Sequence, residues 1–173
     1  MYTERETMLW VMGGLVAFAV ALESARMISP AVREAVNMTI GRIMRPSEKR
    51  LFTGATYVAI ACLLCIWWFP KPVAITALLF MSISDAAASL VGIKLGGPRF
   101  LGKSLSGCSA FLISALAVAW LTMPEHRWIG LIGAVVAMIV EATPLRWGLV
   151  KIDDNLAIPL ISGAVMSVLL ANG

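Results

Sequence analysis

Six apolar stretches, separated by short polar segments, run along the chain. Each is close to the roughly 20 residues that an α-helix needs to cross about 30 Å of hydrocarbon. The pattern predicts an all-α, polytopic membrane protein with about six transmembrane helices. The predicted spans are residues 8–28, 52–69, 72–93, 105–123, 128–147 and 156–171.

The first connection, from Ser29 to Pro46, is too polar to cross a membrane. Ser29 followed by Pro30 is a favourable start for a helix. Its apolar and polar residues alternate with helical spacing, which indicates an amphipathic helix lying in the membrane interface. Anchoring is the simpler role for such a helix, and gating of substrate entry is the alternative. The apolar face holds Val32, Val36, Ile40 and Ile43, and the polar face holds Arg33, Asn37 and Arg42.

Composition limits the architecture further. Hydrophobic residues make up 60% of the 173 residues, and the mean hydropathy is +0.87. Because most residues lie in spans, no room remains for a separate soluble domain of about 50 residues or more. We therefore expect residues 1–173 to form a single transmembrane domain. The first span lacks a small-residue cleavage site, so we expect it to be retained.

The basic residues set the predicted orientation. Eleven of the 14 Lys and Arg residues fall in the first, third and fifth connections. The net charge of +4 is therefore explained by the membrane orientation of these connections, and it does not indicate a nucleic-acid partner. The positive-inside rule then predicts that these connections face the cytoplasm and that both termini lie outside, in a cell inner membrane. The eleven are Arg26, Arg33, Arg42, Arg45, Lys49, Arg50, Lys94, Arg99, Lys103, Arg146 and Lys151.

Three acids lie inside apolar segments. Glu23, Asp85 and Glu141 each fall near the predicted cytoplasmic end of the first, third and fifth span. An ionised carboxylate there costs several kcal/mol unless it faces the protein interior, a partner or a cation. The three acids could converge on a shallow cytoplasmic pocket. The alternatives are that Asp85 pairs with a Lys or Arg of another helix and that Glu23 pairs with Arg26.

Asp153-Asp154-Asn155 precedes the last span. Acids and Asn favour the start of a helix, so these residues could simply cap it. One residue would suffice for a cap, however, and a doubled carboxylate supplies the hard oxygen ligands that Mg²⁺ prefers beside substrate phosphates. The segment therefore predicts a magnesium site.

The segment from Gly97 to Ser104 matches the phosphate-binding P-loop pattern. A true P-loop follows a β-strand in an α/β domain, whereas this segment links two predicted membrane helices. We therefore reject the P-loop fold. Lys103 and Ser104 still precede a helix, whose free N–H groups favour an anion. The alternative is that Lys103 only sets topology and Ser104 only caps the helix.

The three cysteines point to packing. Cys62 and Cys65 form a CxxC inside one apolar run, and Cys108 lies in another. The sequence contains no second pair and no nearby His, so we expect these thiols to fill the core.

At these residues the chain resembles the dolichol kinase, phytol kinase and yeast-type diacylglycerol kinase family, membrane enzymes that phosphorylate lipid alcohols, often with CTP. The resemblance covers most of the chain, which looks like a short prokaryotic form of the family. The resemblance is weaker at Glu23 with Arg26 and at Glu48 through Ala55. Family members commonly place a basic residue where this chain has Ile93 and an acid where it has Ser106. The strong blocks are Asp85 to Gly92 with Gly96, Lys103 to Leu105 with Gly107, and Glu141 to Pro144 followed by Asp153 to Leu156 and Ile158 to Leu160.

The resemblance implies a Mg²⁺-dependent kinase that transfers the γ-phosphoryl group of CTP, or of another nucleotide such as ATP, to an isoprenoid alcohol or diacylglycerol. Glu141 or Asp85 would be the general base. The implied metal ligands are Asp85, Asp153 and Asp154; the implied nucleotide-binding residues are Lys103, Ser104, Asn155, Arg26, Arg50, Gly92, Gly96 and Lys94.

Two other functions fit parts of the pattern. A lipid cytidylyltransferase would also bring CTP and Mg²⁺ to a lipid, and a small cation transporter would use the buried acids as its pathway. A transporter would need polar residues in the external halves of the helices, and these halves contain almost none.

Six helices are few for a buried active site, so a homodimer is plausible. The spacing of Gly92 and Gly96 fits helix contact.

Overall fold

The computed structural model describes residues 4–40, 52–144, 146–147 and 150–173. This part of the chain is helical apart from two short hairpins, and it divides into two compact units, Met1–Leu63 and Leu64–Gly173. The helices are α1 (Glu4–Ile28), α2 (Pro30–Ile40), α3 (Gly54–Trp68), α4 (Lys71–Leu79), α5 (Asp85–Leu95), α6 (Leu105–Thr122), α7 (Arg127–Ala142) and α8 (Asp154–Asn172), and a π-helical turn, Phe80–Ser84, joins α4 to α5.

The predicted all-α membrane architecture is confirmed. Four helical segments are long and apolar enough to cross a bilayer, namely Glu4–Ile28, Lys71–Leu95, Leu105–Thr122 and Asp154–Asn172. The other two predicted spans correspond to α3 and α7, which have 15 and 16 residues and are therefore short for a full crossing.

The unit Met1–Leu63 contains α1, α2 and the start of α3. Ser29 precedes α2, and its carbonyl oxygen accepts a hydrogen bond from the N–H of Arg33 at 3.0 Å. On α2, Val32 and Val36 are half-buried, whereas Arg33 and Glu34 are exposed. The amphipathic helix is therefore confirmed over Pro30–Ile40, and the rest of the predicted segment to Pro46 lies outside the described residues.

In the unit Leu64–Gly173, helices α4 to α8 pack closely through small residues. A Cβ added at Gly107 would lie 3.5 Å from Cα of Gly92, so α5 and α6 approach almost backbone to backbone. Interhelical polar contact adds to this packing, since the hydroxyl oxygens of Thr76 and Thr122 lie 2.7 Å apart. Small residues and polar pairs of this kind hold helices together where lipid removes the hydrophobic driving force. The largest fully buried side chains include Phe80, Phe111, Ile129, Ile158 and Met166.

Two antiparallel hairpins close one end of this unit. Strands β1 (Arg99–Phe100) and β2 (Lys103–Ser104) join α5 to α6, and strands β3 (Arg146–Trp147) and β4 (Val150–Lys151) join α7 to α8. The fifth predicted span, residues 128–147, was therefore too long at its end. Helix α7 stops at Ala142 because Pro144 pushes the preceding residue, Thr143, into extended backbone.

The π-helical turn interrupts the 25-residue segment immediately before Asp85. The N–H of Asp85 bonds to the carbonyl oxygen of Phe80, five residues earlier, and so widens the helix locally. Turns of this kind are frequent at functional sites. The turn changes the direction in which Asp85 leaves the helix, and a regular helical pattern in the sequence does not predict it.

Candidate active site

The hairpin between α5 and α6 presents Lys103 at the end of α7. Its two-residue turn, Leu101 and Gly102, has φ angles of 54° and 143°; Gly102 adopts its angle without steric cost, whereas a left-handed angle is unfavourable for Leu101. A Cβ at Gly102 would also lie 3.3 Å from Cδ of Pro144. The turn is thus fixed against the segment that follows Glu141, which places Lys103 beside that acid.

Three charged side chains from distant parts of the sequence meet there, and we call Lys103, Glu141 and Asp154 the Lys103 cluster. Nζ of Lys103 donates to Oε1 of Glu141 at 2.8 Å and to Oδ2 of Asp154 at 3.3 Å. Glu141 is 4% exposed, whereas the side chain of Lys103 is 43% exposed. One end of the cluster is therefore buried and the other can be reached from outside the protein.

Charge in the cluster keeps the lysine protonated. Burial alone would lower the pKa of Lys103, but its hydrogen bond to Glu141 and the negative charges of Glu141 and Asp154 together outweigh burial and raise the pKa above its usual value of 10.5. Lys103 is therefore a fixed positive charge at neutral pH.

Asp85 belongs to the same region. It begins α5 directly after the π-helical turn and is half-buried. Its carboxylate, like that of Asp154, acts electrostatically on Glu141. The charges of Asp85 and Glu141 therefore act on each other, and the predicted convergence of Glu23, Asp85 and Glu141 on one pocket stays a prediction. Ser84, the residue before Asp85, is fully buried, and its hydroxyl has no hydrogen-bond partner within the described part of the chain.

The two adjacent acids before α8, Asp153 and Asp154, make different contacts. Oδ1 of Asp153 accepts a hydrogen bond from the N–H of Asn155 at 3.0 Å, which makes Asp153 the cap of α8. Asp154, the next residue, turns to Lys103 instead. Asn155 is half-buried in the first turn of α8.

A pocket with a volume of about 220 Å³ lies beside the Lys103 cluster. Its walls come from α5, the start of α6, Lys103 and Glu141. Ser104 lines the pocket and caps α6 by accepting a hydrogen bond from the N–H of Gly107 at 3.2 Å. Gly92 also lines it, and a Cβ there would lie only 2.8 Å from Oγ of Ser104. Ser104 and Gly92 therefore line the same pocket, and their binding of a nucleotide stays a prediction.

Cys108 is a pocket-lining residue that the sequence analysis assigned only to packing. It is 5% exposed and contacts the pocket one turn after Ser104. The spacing of Ser104, Gly107 and Cys108 on one helical face is the signal that could have located it.

Gly96 and Lys94 lie at the outer side of the hairpin. Gly96 ends α5 with a φ of 60°, and its carbonyl oxygen accepts a hydrogen bond from the hydroxyl of Ser106. Lys94 is exposed in the last turn of α5. Ser106 therefore lies against the loop that follows Lys94. It occupies the position at which the resemblance implies an acid.

A second polar cluster lies in the unit Met1–Leu63; we call Glu23, Arg26, Thr53 and Thr56 the Glu23 cluster. Glu23 and Arg26 form a buried ion pair of 2.6 Å, as the pairing alternative predicted. The other oxygen of Glu23 accepts hydrogen bonds from the N–H of Thr53 at 3.1 Å and from the hydroxyl of Thr56 at 3.5 Å. Arg50, predicted to bind the nucleotide, lies outside the described residues.

The donor chemistry of the Lys103 cluster fits Mg²⁺ that arrives with substrate phosphates. Among residues 4–40, 52–144, 146–147 and 150–173, no group of three or more His, Cys, Asp or Glu side chains is already arranged around a metal position. Oε2 of Glu141, however, is buried and has no hydrogen-bond partner in this part of the chain. Mg²⁺ is commonly held by one or two carboxylates and by phosphate oxygens, and Asp85 and Asp154 supply such carboxylates.

Relatives among curated proteins match most of the chain. The CTP-dependent diacylglycerol kinase 1 of Schizosaccharomyces pombe is 30% identical over 159 residues, which cover 82% of this chain and 71% of that protein. The chain belongs to the polyprenol kinase family. The chain is also similar to an uncharacterized protein of Rickettsia prowazekii, with 31% identity over 147 residues, which cover 80% of this chain and 71% of that protein.

Other members of the polyprenol kinase family are longer. Probable phytol kinase 3, chloroplastic, of Glycine max is 29% identical over 139 residues, which cover 70% of this chain and 43% of that protein. No family model and no solved structure matches the chain. The named relatives are lipid kinases, which agrees with a membrane protein whose charged cluster lies at one end of a helical unit.

Proposed function

We propose that this membrane lipid kinase transfers the γ-phosphoryl group of CTP to the hydroxyl group of a lipid alcohol, with Mg²⁺. The observation that carries the proposal is the Lys103 cluster, in which a protonated lysine is held by two carboxylates at a site that is half open to solution. The CTP-dependent relatives support the choice of donor.

Lys103 is the proposed phosphate-binding residue. Its ammonium group donates to Glu141 and Asp154 in the substrate-free protein. Triphosphate oxygens carry more negative charge than either carboxylate, so the exposed end of Lys103 can turn to them as the nucleotide binds. Phosphoryl transfer depends on such positioning and on neutralisation of the charge that develops in the transition state.

The carboxylates have the complementary roles. Asp85 and Asp154 would hold Mg²⁺, which would help to neutralise the charge of the phosphates. Glu141 is the proposed general base, with Asp85 as the alternative, because its buried oxygen Oε2 retains an acceptor site for the proton of the alcohol. Asp153 caps α8, and its predicted role as a third metal ligand stays a prediction.

Around this centre, Ser104 and Gly92 border the pocket and Asn155 follows Asp154, so they are the proposed contacts to phosphate or ribose. Gly96 and Lys94, at the hairpin, are proposed to contact the nucleotide from outside. The nucleotide roles predicted for Arg26 and Arg50 stay predictions.

We place the Lys103 cluster on the cytoplasmic side of a cell inner membrane, with both termini outside. The distribution of Lys and Arg among the connections supports this orientation. CTP would then reach the hairpin from the cytoplasm, and the lipid alcohol would arrive from the bilayer.

The deciding experiment supplies purified protein, Mg²⁺ and a lipid panel of diacylglycerol, phytol and polyprenol with CTP labelled at either the γ- or the α-phosphate. We expect label from the γ-position on a lipid alcohol and none from the α-position. Label from α-labelled CTP on added phosphatidate would instead identify a cytidylyltransferase. A γ-labelled ATP reaction tests the choice of nucleotide, and absence of transfer from either nucleotide would overturn the proposal.

A further inference from the structure

The pocket beside the Lys103 cluster is lined by two chemically different kinds of side chain. Lys103, Glu141, Ser104 and Ser89 form its polar lining, and Ala88, Ile93 and Cys108 form its apolar lining. A ligand that satisfies both has a polar head attached directly to hydrocarbon.

The volume of the pocket limits how much of a ligand it can hold. Pockets that bury a whole drug-sized ligand have volumes of about 300–1,000 Å³. The pocket here has a volume of about 220 Å³, which is room for a hydroxyl group and the first few carbons of a chain. The rest of a longer ligand would extend beyond it.

The polar lining contains an unused acceptor. Glu141 is 4% exposed, and its buried oxygen Oε2 has no hydrogen-bond partner among the described residues. Leaving a buried acceptor unsatisfied is unfavourable. A ligand hydroxyl that donates to Glu141 would remove this cost.

Part of the apolar lining is exposed on the surface of α5. Ile93 lines the pocket and is itself 87% exposed, and Leu90, one turn earlier on α5, is 71% exposed. Both residues fall within a segment long and apolar enough to span the bilayer. A lipid can therefore reach the pocket from the membrane without passing through water.

We propose that this pocket is the acceptor subsite, which holds the hydroxyl end of the lipid alcohol; this inference rests on the proposed kinase function. The hydroxyl lies at Glu141, and the adjoining carbons contact Ala88, Ile93 and Cys108. The lipid oxygen bonds to the γ-phosphorus while the bond from that phosphorus to the β–γ bridging oxygen breaks. The proton passes to Glu141, and the nucleoside diphosphate leaves with the electron pair.

Two matched substitutions on α6 test the assignment. Cys108→Phe adds bulk to the apolar lining, whereas Ser109→Phe adds the same bulk at the next residue, which is exposed and does not line the pocket. With dioctanoylglycerol and CTP as substrates, we expect Cys108→Phe to raise the KM for the lipid by about tenfold or more. The KM for CTP should change less than twofold, and Ser109→Phe should change neither. A rise in the KM for CTP alone, or no change, would overturn the subsite.

Photolabelling tests the same pocket without any substitution in it. The probe is a medium-chain primary alcohol with a diazirine close to the hydroxyl, and the proteins are wild type and Asp154→Asn. We expect label on residues 88–93 and 107–108 of both, with competition by dioctanoylglycerol. Label confined to other helices overturns the subsite even if the protein is an active kinase. Label in the pocket of a protein that transfers no phosphoryl group would retain an alcohol-binding pocket and reject the kinase function.

Discussion

The two charged clusters of this protein contain similar residues but differ in how far their charged groups are exposed. In the Glu23 cluster Oε1 of the glutamate accepts hydrogen bonds and Oε2 lies in the ion pair with Arg26, and the side chains of Arg26 and Glu23 are only 3% and 8% exposed. In the Lys103 cluster Glu141 is similarly buried, but the side chain of the lysine is 43% exposed. The Glu23 cluster is closed, and the Lys103 cluster is open.

This difference separates a structural role from a chemical one. A buried ion pair is costly to break, since removal of one partner leaves an uncompensated charge. An open cluster can exchange an internal partner for a substrate at lower cost. We therefore propose that the Glu23 cluster stabilises the fold and that the Lys103 cluster carries catalysis.

The largest expected effect is on turnover. We expect Asp85→Asn and Asp154→Asn each to reduce kcat by about a thousandfold, the upper range for removal of one preorganised electrostatic group. Both variants should remain folded in membranes, because each keeps the shape of the side chain. Steady-state transfer from γ-labelled CTP measures the effect, and full activity in both variants would remove the mechanism.

Asp153→Asn is the matched control for Asp154→Asn. Asn is as good a helix cap as Asp, so this change preserves the hydrogen bond to Asn155 and removes only the charge. We expect most of the turnover to be retained. A loss as large as that of Asp154→Asn would instead assign Asp153 to the metal.

The next effect is on nucleotide binding. Lys103→Ala should weaken binding of CTP by about tenfold to a hundredfold, because it removes a charge-assisted hydrogen bond to the phosphates. Equilibrium binding of CTP to purified protein measures this change. Lys94→Ala removes an exposed charge from the last turn of α5, and we expect it to weaken CTP binding less than Lys103→Ala does. An unchanged affinity in Lys103→Ala would refute its phosphate role.

A smaller effect on stability should follow from loosening the closed cluster. Thr56→Val removes a hydroxyl that donates to Glu23, and we expect a loss of about 1 kcal/mol in the free energy of unfolding. Thr39→Val removes an exposed hydroxyl that donates to the carbonyl oxygen of Ala35 in its own helix, and it should change stability less. Thermal unfolding in detergent compares the two. Equal losses would contradict the structural role of the Glu23 cluster.

The smallest effect concerns pH. Because the folded protein raises the pKa of Lys103, the stability contributed by this lysine is fully present below about pH 10.5 and is lost as pH rises through the raised pKa. The difference in melting temperature between wild type and Lys103→Met should therefore stay constant from neutral to moderately alkaline pH. It should disappear only in strongly alkaline solution. Convergence near pH 7 would mean that the lysine is not held by the carboxylates.

The sequence predicted the parts of this fold that depend on local pattern. Apolar runs gave the helices within a few residues, and the alternation of spans placed Lys103, Glu141 and Asp154 on one side of the membrane. The same residues carried the family resemblance, which the relatives bear out. Residue type and spacing were sufficient for these conclusions because each depends on only one segment at a time.

The remaining features depend on tertiary packing. The hydrogen bond between Lys103 and Glu141 joins residues 38 apart, and it requires the hairpin turn at Gly102 to rest against Pro144. The π-helical turn before Asp85 has no distinct pattern in the sequence. Cys108 becomes a pocket residue only because α5 and α6 approach closely at Gly92.

One pair of isosteric substitutions tests the central comparison most directly, namely Glu141→Gln and Glu23→Gln measured for both kcat and melting temperature. We predict that Glu141→Gln loses about a thousandfold in kcat with little change in melting temperature. We predict that Glu23→Gln lowers the melting temperature by several degrees, while the kcat and the KM for CTP of the folded fraction stay close to those of wild type. The opposite result, an active Glu141→Gln with a stable but inactive Glu23→Gln, would contradict the assignment of catalysis to the Lys103 cluster.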